Sequence, residues 1–219
     1  MGRSVRPNVA AARTRPFRQG APVALGRATA SHRDDEVWVS HAGRLLVATP
    51  LIADPSFERS VVLLLAHGAQ GAFGLVLNRP SDTHVGEVVS GWTSVTAAPA
   101  VLFVGGPVGR DSLVALGRST LLQDHASDLI VGDCAPVDLK VPPDDGGPGW
   151  DAIRLFAGSA GWTPGQLEDE LAEGAWWTVE AEAADVMCPD PDQLWSRVLR
   201  RQRGEVAWFA NHPDDPSAN

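Results

Sequence analysis

Asp54, Arg59, His67 and Asn78 are the polar residues of this chain whose types and spacing best suit chemistry. All four lie within residues 48–80, ATPLIADPSFERSVVLLLAHGAQGAFGLVLNRP. Around an open cleft, an arginine grips an anionic group, an asparagine hydrogen-bonds it and a histidine exchanges a proton near neutral pH. That chemistry would suit a hydrolase or transferase acting on a small anionic metabolite. The same residues also have an architectural reading. Asp54 caps a turn or pairs with Arg59, and Asn78 satisfies backbone groups where a strand ends. Architecture is preferred here, because buried charges pair and turn-closing amides are common.

A second candidate is the corner Gly158, Gly161, Trp162 and Thr163, where a glycine-rich segment feeds a helix and exposes backbone N–H groups to an anion. Its capacity is limited. Thr163 as N-cap, Pro164 in the first position and Gln166 in the third occupy some donors, and Glu168 and Asp169 oppose a second negative charge. Trp162, Trp176, Trp177 and Trp195 read as core and rim aromatics, and His41, His84, His125 and His212 as surface residues. Asp144-Asp145 and Asp214-Asp215 read as solvated turns.

Other chemistries lack their residues. Lys140 is the single lysine, so there is no G-x-x-x-x-G-K-[ST] phosphate loop and little scope for a Schiff base. There is no tyrosine to act as an acid, no H-E-x-x-H and no G-x-S-x-G. Gly105-Gly106-Pro107-Val108-Gly109 lacks dinucleotide-binding register and reads as a tight turn. Cys134 and Cys188 have no metal-ligand spacing and read as buried free thiols. Neither a metal nor a cofactor is expected.

The elements that must position these groups are short. Strands are expected over residues 43–49, 60–66, 72–77, 100–104, 113–116, 128–131, 153–157 and 176–179, with a short helix over 84–90. The runs at 61–66 and 73–77 are continuously apolar, which points to burial on both faces. Two later helices carry matching start signals, Thr163-Pro164 with Gln166 and Asp190-Pro191 with Gln193, and end at Gly174 and Gly204. Hairpin-like strands followed by late helices imply an α+β fold, with a mainly antiparallel sheet and a few flanking helices in a single domain.

Charge is unevenly placed along the 219 residues. Residues 1–33 hold seven arginines and no acid, leaving 11 basic residues against all 27 acidic ones, a formal −16, in residues 34–219. So acidic a body repels phosphate backbones, which argues against direct DNA binding by the folded part. Residues 1–36 read as a disordered Arg-rich extension, 37–211 as the domain and 212–219 as a tail. The extension lacks the apolar centre of a secretory signal, and no apolar run approaches the roughly 20 residues a membrane span needs. A cytoplasmic location is expected.

Several blocks recur together in one known family. They are LIADPSFERSVV at 51–62, GLVLNRP at 74–80, VGGPV at 104–108, GSAGWTPGQLEDEL at 158–171, Ala175-Trp176-Trp177 and LWSRVLRR at 194–201. Their order and spacing resemble the YqgE/AlgH family of small bacterial proteins from about residue 41 to 203. The resemblance implies coiled antiparallel sheets with flanking helices. It also implies a name, transcriptional regulator, that comes from a genetic role in one member, with no established reaction or ligand. The chain departs from the family at Ala157–Gly161, where many relatives place an aromatic after the first glycine. The expectation is therefore a non-enzymatic regulatory or adaptor protein acting through an unknown protein or small anionic ligand. A hydrolase or transferase near Arg59 and Asn78 is the alternative.

Overall fold

The structure, a computed structural model, describes residues 39–121, 129–143 and 149–211. The expected extension over 1–36 and tail over 212–219 lie outside the described residues, as do His125, His212, Asp144-Asp145 and Asp214-Asp215.

Among the described residues nine strands form one sheet: β1 (Arg44–Ala48), β2 (Val61–Gly68), β3 (Gly71–Val76), β4 (Pro80–His84), β5 (Val101–Val104), β6 (Val108–Arg118), β7 (Cys134–Pro136), β8 (Ala152–Trp162) and β9 (Trp176–Glu180). The order is β4-β5-β8-β3-β2-β1-β9, with β6 on β8 and β7 on β6. Every pairing is antiparallel except β5 with β8. Short helices flank it: α1 (Val85–Val88), α2 (Gln166–Ala172), α3 (Ala183–Val186), α4 (Leu194–Arg200) and α5 (Glu205–Trp208). The α+β architecture is the one expected.

Strand β8 joins the two halves of the sheet. Its first part pairs with β6 and β5, and its last part with β3, through Ala72↔Trp162 and Gly74↔Ala160. The change of partner falls at Gly158, whose φ is +71; a Cβ there would lie 2.7 Å from the Gly106 carbonyl oxygen. Only glycine passes that point without displacing backbone.

The central strands bury both faces, hence their unbroken apolar sequence. Leu45, Val47, Val61, Leu63 and Leu65 face Val186, Leu194, Val198 and Leu199. Leu46, Ala48, Val62 and Leu64 face Trp162, Leu167 and Trp176. A third cluster, including Val85, Trp92, Ile153 and Leu155, lies under the β4–β7 half. Each such side chain contributes roughly 1.5–3 kcal/mol when taken from water.

Several expectations need correction. The segment at 158–162 is strand, not a loop into a helix. Helix α2 begins at Gln166 with Gly165 in the left-handed conformation before it, so Thr163 is not its N-cap. Gln166 does reach back, its Oε1 accepting the Thr163 N–H at 3.1 Å as in half of a capping box, although the helix itself starts two residues later than expected. Asp190 gives no side-chain cap; Pro191–Gln193 form a 3-10 turn ahead of α4. Within 129–131 there is no strand, only a Val131–Cys134 bridge leading into β7. Residues 80–84 form the edge strand β4, which the proline and polar alternation concealed.

Both cysteines are free thiols and buried. Burial, then the charge of Asp133, pushes the Cys134 thiol up from 9.0 to about 12. Thiolate is the reactive form, so Cys134 is not expected to react with a thiol reagent near pH 8 in the folded protein, and burial alone shields Cys188, whereas both react in denaturant. Rapid labelling of native Cys134 would contradict this packing.

Candidate functional site

The chain between β1 and β2 is built to turn. Asp54 Oδ1 accepts the Ser56 N–H at 2.7 Å, and its carbonyl accepts from Phe57 and Glu58. The turn then passes through Arg59, a non-glycine residue with φ 51. A left-handed residue costs on the order of 1 kcal/mol, so neighbouring bonds must hold it. Asn78, only 5% exposed, supplies them: its Nδ2 donates to the Arg59 carbonyl at 2.9 Å and its Oδ1 accepts the Val61 N–H at 2.9 Å. Both halves of that amide clasp the start of β2 to the end of β3.

Arg59 and Asn78 thus meet, at the mouth of an open cleft of about 280 Å³ also lined by Glu58, Arg79, Asp192 and Trp195. The Arg59 guanidinium lies over the Trp195 ring, 4.2 Å from its centroid. Trp195 is itself fixed, its indole N–H donating to the Ala48 carbonyl at 2.9 Å. Arg79, half-buried, donates to the carbonyl oxygens of Glu58 and Asn78. Burial lowers its pKa, and the charges of Glu58 and Asp192 oppose that shift.

Sequence reasoning missed Arg79, Glu58, Asp192 and Trp195 as cleft residues. Arg79 and Glu58 adjoin residues that were singled out, and that adjacency was the available signal. Asp192 and Trp195 arrive through tertiary packing of the 3-10 turn and α4, which no local pattern announces.

His67 is not in this cleft. It lies six residues along β2 from Val61, about 20 Å at strand spacing. There its Nε2 is 2.7 Å from Glu168 Oε1, and its Nδ1 accepts the His41 backbone N–H at 3.0 Å. An Nδ1 that accepts leaves the ring proton on Nε2, which donates to Glu168. The His41 ring stacks on it at 5.4 Å. Burial, then His67 and Arg44, lowers the His41 pKa, and Glu168 opposes them. Nitrogen-15 NMR of the ring is expected to show His67 as the Nε2–H tautomer; an Nδ1–H signature would contradict the arrangement.

The expected anion corner is used by the fold. Gly158 marks the bend of β8, and Gly161 and Trp162 pair with β3. The Trp162 indole donates to Glu170 Oε2 at 2.8 Å, as does Trp176 at 2.7 Å, while Gln166 Nε2 donates to Glu170 Oε1 at 2.9 Å. Glu170 therefore ties α2 to two strands, a role not foreseen from its place in an acidic helix. Among the described residues, no three His, Cys, Asp or Glu side chains gather as metal ligands. No helix among them is long and apolar enough to cross a membrane.

Comparison with known proteins places these features in a family. The AlgH-like family model matches residues 45–207. A UPF0301 protein of Streptomyces coelicolor is 50% identical over 187 residues, 82% of this chain and 96% of the relative. One from Thermobifida fusca is 44% identical over 191 residues, 83% and 96% of the two chains. Among solved structures, the crystal structure of a Corynebacterium diphtheriae protein is similar with a TM-score of 0.72 and 31% identity, covering 82% of this chain and 94% of that one. The solution structure of the AlgH protein from Pseudomonas aeruginosa is similar with a TM-score of 0.59 and 30% identity, covering 84% and 100%. The span of the family match and the identity to full-length relatives agree: the chain belongs to the AlgH-like, UPF0301 family.

Proposed function

We propose that this protein is a regulatory or adaptor protein that acts by binding at the Arg59–Arg79 cleft, without turning a substrate over. The supporting observation is the commitment of Asn78: its amide nitrogen and oxygen each bond the backbone of the β2–β3 junction, so the fold sets the orientation of this side chain. Among the described residues the lining also holds no serine, cysteine, histidine or lysine to serve as a nucleophile, and His67 works at the other end of β2. The −16 formal charge of residues 34–219 favours an indirect influence on transcription over a grip on DNA, in a cytoplasmic setting.

The test is incubation of the full chain with a small-molecule extract, followed by mass spectrometry of free and protein-bound fractions. Binding without turnover predicts retention of a compound up to the protein concentration and no depletion beyond it. Depletion of any compound in large excess over protein, lost in Arg79→Gln, would support the hydrolase or transferase alternative.

A further inference from the structure

The described lining of the cleft carries charges of both signs. It has two guanidiniums, on Arg59 and Arg79, and two carboxylates, on Glu58 and Asp192, for a formal charge of zero. Arg79 spends two N–H groups on backbone carbonyls, and its remaining donors have no partner among the described residues. Glu58 and Asp192 are exposed at the rim, and among the described residues neither closes an ion pair with Arg79.

A dianion entering here would meet the two guanidiniums but also two carboxylates, and a polyamine would meet the two carboxylates but also the guanidiniums. A ligand bearing one charge of each sign meets a partner for both. The volume, about 280 Å³, is near the lower end for ligand pockets and suits a molecule of amino-acid or dipeptide size.

We propose that the cleft binds a small zwitterion, an α-amino acid or short peptide, with its carboxylate on Arg79 and its ammonium at Glu58 and Asp192. This rests on the reading of the cleft as a binding site. The Trp195–Arg59 stack forms the wall beside it, limiting the side chains that fit.

Thermal melting of the full chain tests it, with the free α-amino acids, a set of alanine-containing dipeptides, inorganic phosphate, glutarate and putrescine as probes. Amino-acid and dipeptide arms separate the two sources of the same chemistry. At least one zwitterion is expected to raise the melting temperature, with its N-acetylated and C-amidated forms each binding at least about tenfold more weakly. Arg79→Gln and Asp192→Asn should weaken binding by a similar factor while lowering the ligand-free melt by no more than a few degrees. Arg79→Lys, which keeps the charge, serves if Arg79→Gln fails to fold. Stabilisation by phosphate, glutarate or putrescine alone, equal binding of the blocked forms, or no response to any zwitterion would overturn the proposal. A response to phosphate alone would leave the binding reading standing, whereas consumption of a bound zwitterion in excess over protein would remove only the claim of no turnover.

Discussion

Arg154→Ala is expected to cost about 3–5 kcal/mol of folding stability, the largest loss foreseen for any polar substitution here. Arg154 is 1% exposed on β8. One guanidinium nitrogen donates to the carbonyl oxygens of Val186 and Cys188 at 3.0 and 2.9 Å, and the other to Ala98 at 2.5 Å. Its plane lies over the Phe103 ring, 4.3 Å from the centroid. Among the described residues no carboxylate pairs with it, so backbone dipoles and an aromatic face carry a buried cation. Burial lowers its pKa from the ordinary arginine value to about 10, against the opposing influence of Cys188, and it remains charged at neutral pH. Alanine removes the packing and strands three carbonyls; Arg154→Met keeps the volume, strands the carbonyls and should cost less. Above about 10 and up to the ordinary arginine value the unfolded chain holds this proton and the folded one does not, so this group's contribution to stability rises with pH there. Urea unfolding measures the difference, and an Arg154→Ala midpoint equal to wild type would show the carbonyls satisfied another way.

Asn78→Ala is expected to cost about 2–4 kcal/mol, since it strands a buried N–H on Val61 and the carbonyl of Arg59 together. It also releases the left-handed Arg59, whose guanidinium then leaves the Trp195 face less populated. Asn78→Asp should not rescue the loss. It keeps an acceptor for Val61 but sets a carboxylate against the Arg59 carbonyl. The measurement is a thermal melt with tryptophan fluorescence, which reports on Trp195 as well as on unfolding. Retention of the wild-type melt by Asn78→Ala would remove the clasp from the description of this fold.

Much of the fold was legible because its signals are local and repeated. The unbroken apolar runs of β2 and β3 announced two-sided burial, and Gly174 announced the end of α2. The failures have physical causes. Strand β8 was cut short because Gly158-Ser159-Ala160-Gly161 has turn composition, yet those small residues are what let backbones pass closely at the bend. Thr163 looked like a cap, but the left-handed Gly165 places the helix start later. The polar set was half legible. Arg59 and Asn78 meet because they flank paired strands. His67 closes the same β2 strand, and strand length carries it away from them. Asp192 and Trp195 depended on how α4 packs, which is set by tertiary contacts.

Two adjacent residues divide the labour at this junction, Asn78 holding the strands together and Arg79 facing the cleft. Equilibrium urea unfolding of Asn78→Ala and Arg79→Gln, measured side by side without ligand, tests it most directly. The predicted result is a loss of about 2–4 kcal/mol for Asn78→Ala and less than about 1 kcal/mol for Arg79→Gln, whose carbonyl partners lie near solvent and can take water instead. Equal losses in both variants, or a larger loss from Arg79→Gln, would contradict it.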